Sequence, residues 1–245
     1  MTRRHVLFET DIEYVSHACN FVKGCAHGCR YCYARTCKRV LYAEWCEPQV
    51  VPFAVALLKA DLDRLKQPPT EIMVSSSHDP CQPDTAMLVA TESVLTVLAD
   101  RDMPAWLLTK GGLRSWQFLD LLKRDNARLG VTITTHDEDE RERWEPFAAS
   151  THDRIMALIN AKLRGVHTWT SVEPILPGLD IARLARQLQG VADFVVIGKW
   201  NYSSEAGRMD WPRIRAEAEE AFGAAGIPYL IKRELREVDA VERAA

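Results

Sequence analysis

The chain has 245 residues, of which 47% are hydrophobic and 27% charged. This composition excludes global disorder, and the length excludes a need for disulfide staples. Lys plus Arg number 31 and Asp plus Glu 34, a net charge of −3, which excludes a basic surface over the whole molecule and leaves room only for a local cationic patch.

Residues 1–10 carry charges but no apolar run follows, so no secretory signal is predicted. No stretch approaches about 18 uninterrupted apolar residues, so no membrane span is expected. The expectation is a cytoplasmic protein with reduced thiols, where clustered cysteines bind metal or take part in catalysis rather than pair. Seven cysteines are present, six of them between Cys19 and Cys46. Within the segment 20–33, Cys25, Cys29 and Cys32 are spaced C-x3-C-x2-C, which lets three thiolates converge on one centre. Gly24 and Gly28 allow the tight turns this requires. Three thiolates are one short of a closed zinc or iron–sulfur site, and on a cubane they leave one iron open. A structural zinc completed by His27, Cys19, Cys37 or Cys46 is an alternative, although no second short cysteine pair exists. A ferredoxin-like electron carrier is another, on a scaffold large for that task. His27 reads as a hydrogen-bond donor behind the ligands rather than as a ligand. Arg30, Arg35, Lys38 and Arg39 form a basic run. It reads as compensation for an anionic cluster plus a basic helix face. Contact with a phosphate backbone, with Tyr31, Tyr33 and Trp45 as stacking groups, is the alternative.

Beyond this loop, short apolar runs alternate with helical patterns. Strands are predicted at 71–76, 104–109, 129–135, 168–172, 193–197 and 228–231. Helical periods run through Val55–Leu65, Met87–Leu98 with Pro83 at a first-turn position, Ile155–Leu163 after a Ser150-Thr151 cap, and Ile214–Ala225 ending near Gly226. The alternation implies parallel βαβ units in an α/β fold, with six or seven units visible. An open, partial (β/α)6-type barrel is favoured over a doubly wound sheet. One domain over 1–245 is expected, with a cluster loop at 20–35, a core at about 15–200 and a C-terminal extension at 200–245. In either fold the site lies at the carboxyl ends of the strands. There stand Ser75, Ser76, Ser77, His78, Asp79, Lys110, Thr134, Thr135, Glu173 and Lys199. Glu173 and Lys199 are expected to contact substrate or pair with each other. Trp200-Asn201-Tyr202 reads as a loop bordering a substrate opening, and Lys232-Arg233-Glu234 as solvated surface.

The cysteine spacing, with an aromatic just before the third cysteine, resembles the radical S-adenosylmethionine (radical SAM) superfamily. Residues Asn20 to Arg35 are similar to the spore photoproduct lyase-like branch. So, in order, are Asp79-Pro80-x-Gln82-Pro83, Thr109-Lys110, 132–135, Glu145-Pro146 and 174–178. The segment 171–174 and the tail 228–232 resemble a phage-associated group of radical enzymes of unassigned function. The resemblance implies that Cys25, Cys29 and Cys32 hold a 4Fe–4S cluster whose open iron is chelated by S-adenosylmethionine. It implies reductive cleavage to a 5′-deoxyadenosyl radical, hydrogen abstraction from a substrate such as a nucleic-acid lesion or base, and a reductant protein such as flavodoxin or ferredoxin. Tyr31 falls where the family places an aromatic against adenine. Ser75, Ser76, Ser77 and Asp79 fall where relatives bind the methionine amine, although Asp79 is equally placed to cap the next helix. Lys110 and Thr134 suit the methionine carboxylate. Candidate catalytic residues are Cys81, Tyr33, Glu173 and Lys199. The lyase carries a cysteine hydrogen donor three residues before the aspartate matching Asp79. Ser76 stands there, and its O–H bond is too strong for that role. Cys81 is the candidate substitute, with a buried hydrophobe as its ordinary reading.

Overall fold

A computed structural model describes residues 5–201 and 203–238. Its main sheet contains β1 (Leu7–Glu9), β2 (His17–Cys19), β3 (Ile72–Val74), β4 (Ala105–Thr109), β5 (Ala127–Thr132), β6 (His167–Val172), β7 (Phe194–Ile197) and β8 (Tyr229–Ile231). The strands lie side by side in chain order. Strands β2 to β8 pair in parallel, and β1 runs antiparallel to β2. Parallel neighbours need a crossover between them. The crossovers carry α3 (Ala54–Arg64), α4 (Thr85–Asp100), a short helical stretch at 112–122, α5 (Glu138–Trp144) with α6 (Thr151–Leu163), α7 (Ile181–Leu188) and α8 (Trp211–Ala225). Between β2 and α3 lie the cysteine loop and two short helices, α1 (Tyr33–Lys38) and α2 (Tyr42–Trp45). This is the open partial barrel expected from the strand–helix alternation.

The two-residue period of each strand decides what it buries. Ile72 and Val74 of β3, and Ala105 and Leu107 of β4, pack outward beneath α3 and α4. Met73 and Trp106, one residue out of phase, turn inward with Ala18, Trp169 and Val196. A second outward core under α6, α7 and α8 gathers Val131, Leu158, Leu184, Val195 and Phe222. The barrel interior is thus a small aromatic plug, with Trp169 fully buried and its ring centroid 5.4 Å from that of Trp106. The plug leaves the opposite, carboxyl-terminal end of the barrel to polar residues. The open edge between β1 and β8 is spanned by Glu13, which accepts from the Arg233 backbone N–H (2.8 Å) and pairs with Arg236 (3.1 Å).

Strand boundaries differ from the expected ones by one to three residues, chiefly because polar residues continue the chain direction without pairing. Ser75 and Ser76 lie past the end of β3, and Ser75 already has φ 74°. Ser150 caps α6 as expected, its side chain accepting from Asp153 N. Pro83 lies before the cap rather than in the first turn of α4, because Asp84 takes the N-cap and accepts from Met87 N. No helix among the described residues is long and apolar enough to cross a membrane.

Replacing Trp169 by Ala empties the barrel plug, and the loss expected is about 3–5 kcal/mol. A denaturant titration should show this as a lower midpoint at unchanged slope. A change under 1 kcal/mol would contradict the plug.

Candidate active site

At the carboxyl ends of the strands lies a pocket of about 370 Å³, within the range of small-molecule sites. Its wall includes Cys25, Cys29, Tyr31, Cys32 and Tyr33 from the loop, Ser75 to Asp79 after β3, Lys110 after β4, and Thr132 at the end of β5. Ser171 and Glu173 of the β6 end, Lys199 to Asn201 after β7, and Lys232 and Glu234 after β8 complete it. The inward residues Tyr14, Met73 and Leu108 form its apolar part.

The cysteine loop is pinned from several sides. Cys25 N donates to Trp45 O (2.8 Å), Arg30 N to Trp144 O (2.8 Å), and Ala26 N to Gln82 Oε1 (2.5 Å). Tyr42 Oη donates to Gly28 O (2.7 Å). The loop glycines are needed where they stand. Gly24 and Gly28 have φ of 82° and 59°, and a Cβ on them would lie 2.6 Å from Trp45 O and 2.7 Å from Tyr42 Oη. Asn20, at the loop entrance, donates to Ser76 Oγ (2.9 Å) and accepts from Ser77 N (3.0 Å).

Asp79 joins the loop to two strand ends. Its Oδ1 accepts from Cys81 N (2.8 Å) and Thr109 Oγ1 (2.6 Å), and its Oδ2 from Lys110 N (2.6 Å). His27 Nδ1 stands 3.3 Å from Oδ2, an electrostatic contact without hydrogen-bond alignment. Burial pushes this carboxyl up, but His27, the Lys110 N–H and the Thr109 hydroxyl outweigh it and hold its pKa below the carboxylate range. The cap role expected for Asp79 falls to another residue, while Asp79 itself lines the pocket. Asp84 caps α4, and the oxygens of Asp79 are occupied by protein donors. The other ring nitrogen of His27 is 3.2 Å from Arg114, so both ring nitrogens face protein partners.

Tyr31 is anchored beneath the pocket. Its hydroxyl donates to Glu145, which also accepts from Thr134 Oγ1 (3.1 Å) and pairs with Arg154 (2.5 Å). Glu145 and Arg154 are both fully buried. Burial raises the Glu145 carboxyl, and Arg154, Lys110 and Tyr31 overcome this to hold it below its ordinary range. The expectation for Thr134 is corrected here. Its hydroxyl is spent on Glu145, and Thr132 lines the pocket in its place. Lys110 Nζ lies 5.8 Å from the Tyr31 ring centroid and has no carboxylate within 4 Å among the described residues. Ser75 Oγ sits 2.7 Å from His78 Nε2, and Tyr33 Oη donates to Ser76 O (2.5 Å). Ser77 Oγ is buried without a partner among the described residues, so the pocket offers a polar atom to a ligand.

Three further expectations change. Glu173 pairs not with Lys199 but with Lys232, whose Nζ reaches both carboxylate oxygens (2.8 and 3.0 Å). Lys199 instead lies 5.3 Å from the Trp211 ring centroid. Lys232 is therefore a pocket residue and not solvated surface. Cys81 has no exposed area and is absent from the pocket wall, which removes it as a hydrogen donor to a bound substrate. Burial raises its thiol, as it does that of Cys25, pushed up to about 12. Trp200 and Asn201 line the pocket as expected, whereas Tyr202 lies outside the described residues. Sequence reasoning gave no role to Glu145, Arg154 or Lys232. The available signals were a charge on the apolar stripe of α6, where Arg154 stands with Leu158 and Ala161, and a lysine directly after a strand.

The radical SAM superfamily model matches residues 19–188, and the chain belongs to that superfamily. Members of that superfamily work with a 4Fe–4S cluster and S-adenosylmethionine and require a reductant. An uncharacterised protein of Methanocaldococcus jannaschii is 30% identical over 172 residues, covering 69% of this chain and 64% of that protein. A radical SAM Nalpha-GlyT isomerase of Pseudomonas phage M6 is 27% identical over 154 residues, covering 61% of this chain and 31% of that protein. The chain thus matches less than two thirds of the length of either relative. Among solved structures, spore photoproduct lyase in complex with a dinucleoside spore photoproduct shares the fold, with a TM-score of 0.63 and 18% identity. That alignment covers 91% of this chain and 65% of the lyase.

Arg154→Met leaves the Glu145 carboxylate buried and unpaired, at an expected cost of about 3–5 kcal/mol. Adding Glu145→Leu should recover most of that loss. Urea unfolding of the single and double variants measures both. A single variant within 1 kcal/mol of the parent would show that the pair does not hold this end of the barrel.

Proposed function

We propose that Cys25, Cys29 and Cys32 each hold one iron of a 4Fe–4S cluster, and that the pocket above them binds S-adenosylmethionine on the open iron. The carrying observation is that all three thiols line the same pocket as the polar ends of β3 to β8. A zinc ion held by three or four cysteines would need their sulfurs roughly 3.8 Å apart. Among the described residues no three His, Cys, Asp or Glu side chains are grouped to hold one metal ion. A cubane asks each thiolate for a different iron and tolerates wider spacing. Of the four candidates for a fourth zinc ligand, Cys46 alone stands beside the loop, its Sγ 3.4 Å from where a Cβ on Gly28 would lie. His27 faces Asp79 and Arg114, Cys19 lies in the core, and Cys37 is exposed on α1. The raised thiol of Cys25 belongs to the metal-free protein, since a coordinating thiol is deprotonated outright.

When bound, the cluster and S-adenosylmethionine together supply a one-electron reductive cleavage and a 5′-deoxyadenosyl group that takes hydrogen from substrate. The chain's own residues bind and orient. Lys110, whose ammonium pairs with no carboxylate among the described residues, offers it to the methionine carboxylate. Ser77 Oγ, without a partner among the described residues, offers a further hydrogen-bonding group on the pocket wall. Tyr31, fixed by Glu145, presents its ring to the adenine. The aromatic plug beneath the pocket excludes water from below.

The opposite wall, with Tyr14, Tyr33, Trp200, Glu173 and Lys199, is the substrate side. Its aromatic faces and a few charged groups suit a planar ring with a polar edge, such as a nucleobase. The lyase's own substrate, a dinucleoside, gives that reading its support. The lyase's repair route is not expected here, because Ser76 stands at the cysteine position and Cys81 is sealed in the core.

Anaerobically reconstituted protein should bind four irons per chain and release 5′-deoxyadenosine from S-adenosylmethionine under dithionite. Cys29→Ala should abolish both, and stoichiometric zinc with no cleavage would overturn the reading. Lys110→Met should raise the KM for S-adenosylmethionine roughly 10–100-fold, the range expected for loss of one charge-assisted hydrogen bond. An unchanged KM would remove Lys110 from the carboxylate site.

A further inference from the structure

Three phenols stand at the pocket wall, Tyr14, Tyr31 and Tyr33. Tyr31 spends its hydroxyl on Glu145, and Tyr33 spends its own on Ser76 O (2.5 Å). The Tyr14 hydroxyl has no hydrogen-bond partner among the described residues. Tyr14 lies in the turn between β1 and β2. Thr10 N closes that turn by donating to Ser16 O (3.2 Å), and Val15 N donates to Ile12 O (3.2 Å). Alternate residues of the turn go to opposite sides. Ile12 and Tyr14 line the pocket, and Glu13 between them reaches out to Arg233 and Arg236.

The Tyr14 ring is held against the aromatic plug. Its centroid lies 5.6 Å from that of Trp169 and 6.2 Å from that of Trp106, within the range of favourable aromatic pairs. Burial raises the Tyr14 phenol well above its ordinary range, and Glu173, also on the pocket wall, adds to this. Tyr14 is thus a fixed, neutral phenol whose O–H is not consumed by the protein. Such an O–H is weaker than that of Ser76 and weaker than an alkyl C–H bond, because the radical left behind is delocalised over the ring.

We infer that Tyr14 is the hydrogen-atom donor to carbon radicals formed in this pocket. The inference rests on the cluster assignment made above. The Tyr14 O–H bond breaks, a C–H bond forms on the radical, and a neutral phenoxyl remains. The reductant that the superfamily requires then returns one electron and solvent one proton, which restores the phenol. Other donors are ruled out by place. Cys81 is sealed in the core, and Cys25, Cys29 and Cys32 are taken by the cluster. The plug keeps the radical on Tyr14. The Arg128 guanidinium stands 4.1 Å from the Trp106 ring centroid, so oxidising that indole would set one positive charge on another. The Trp169 Nε1–H is buried with no partner among the described residues to take its proton.

The test needs no substrate. In deuterated water the phenol hydrogen exchanges for deuterium. Reconstituted parent protein given S-adenosylmethionine and dithionite there should release 5′-deoxyadenosine carrying deuterium at C5′. Tyr14→Phe should lose most of that deuterium per 5′-deoxyadenosine released, a ratio independent of how fast cleavage runs. Parent samples frozen during turnover should show a tyrosyl radical by EPR, with a signal that narrows when the protein is made with ring-deuterated tyrosine. The signal should vanish in Tyr14→Phe. Iron content and a urea midpoint of the metal-free protein report whether the variant is folded, and the ring-label experiment needs no substitution at all. Deuterium-free 5′-deoxyadenosine from the parent, or no tyrosyl signal in it, overturns the inference. So does deuterium retained in Tyr14→Phe, or a signal lost in Tyr33→Phe and kept in Tyr14→Phe. Absence of any 5′-deoxyadenosine from the parent would instead overturn the cluster assignment, and this inference with it.

Discussion

The site depends first on one buried carboxylate. Asp79 receives the Lys110 and Cys81 backbone N–H groups and the Thr109 hydroxyl, and it faces His27 of the cysteine loop. A buried anion with this many donors is stable only where it is, because moving it would leave several polar groups without partners. The constraint therefore runs outward. It sets the end of β3 against the end of β4, places the Lys110 side chain at the pocket wall, and holds the middle of the cysteine loop at that wall. Gln82, three residues on, receives Ala26 N and repeats the tie.

A second buried charge supports the other flank. Glu145 and Arg154 neutralise each other with no exposure, and the Tyr31 hydroxyl joins them. Such pairs seldom add net stability over apolar side chains, but they tolerate few geometries. Here that restriction falls on Tyr31, one residue before Cys32. The two ties divide the labour, Asp79 holding the first half of the loop and Glu145 the second. The wall proposed to face the substrate is built differently. Glu173 and Lys232 join the ends of β6 and β8 across β7 and place opposite charges where a ligand would enter.

Much of this was legible in the sequence because it is local. Strand alternation, helical period and the C-x3-C-x2-C spacing are written in neighbouring residues, and the turns at Gly24 and Gly28 follow from the crowding of the cysteines. What could not be read was pairing over distance. Glu173 lies 59 positions from Lys232 and Tyr31 lies 114 from Glu145, and nothing near either residue names its partner. Lys199 seemed the natural partner of Glu173 because both follow strands; in the fold it lies against Trp211. Thr134 and Cys81 were misplaced for a related reason. Thr134 stands two residues past β5 and Cys81 in the loop between β3 and α4, but a hydroxyl beside a buried carboxylate and a thiol facing the core are consumed before any ligand arrives.

The central claim is an iron–sulfur cluster held by three cysteines, with one iron open to the pocket. Mössbauer spectroscopy of protein reconstituted with ⁵⁷Fe, recorded with and without S-adenosylmethionine, tests it most directly. The account predicts a four-iron cluster in which one iron site changes its parameters when S-adenosylmethionine is added while three stay as they were. Four iron sites indifferent to S-adenosylmethionine, or no cluster signal at all, would contradict it.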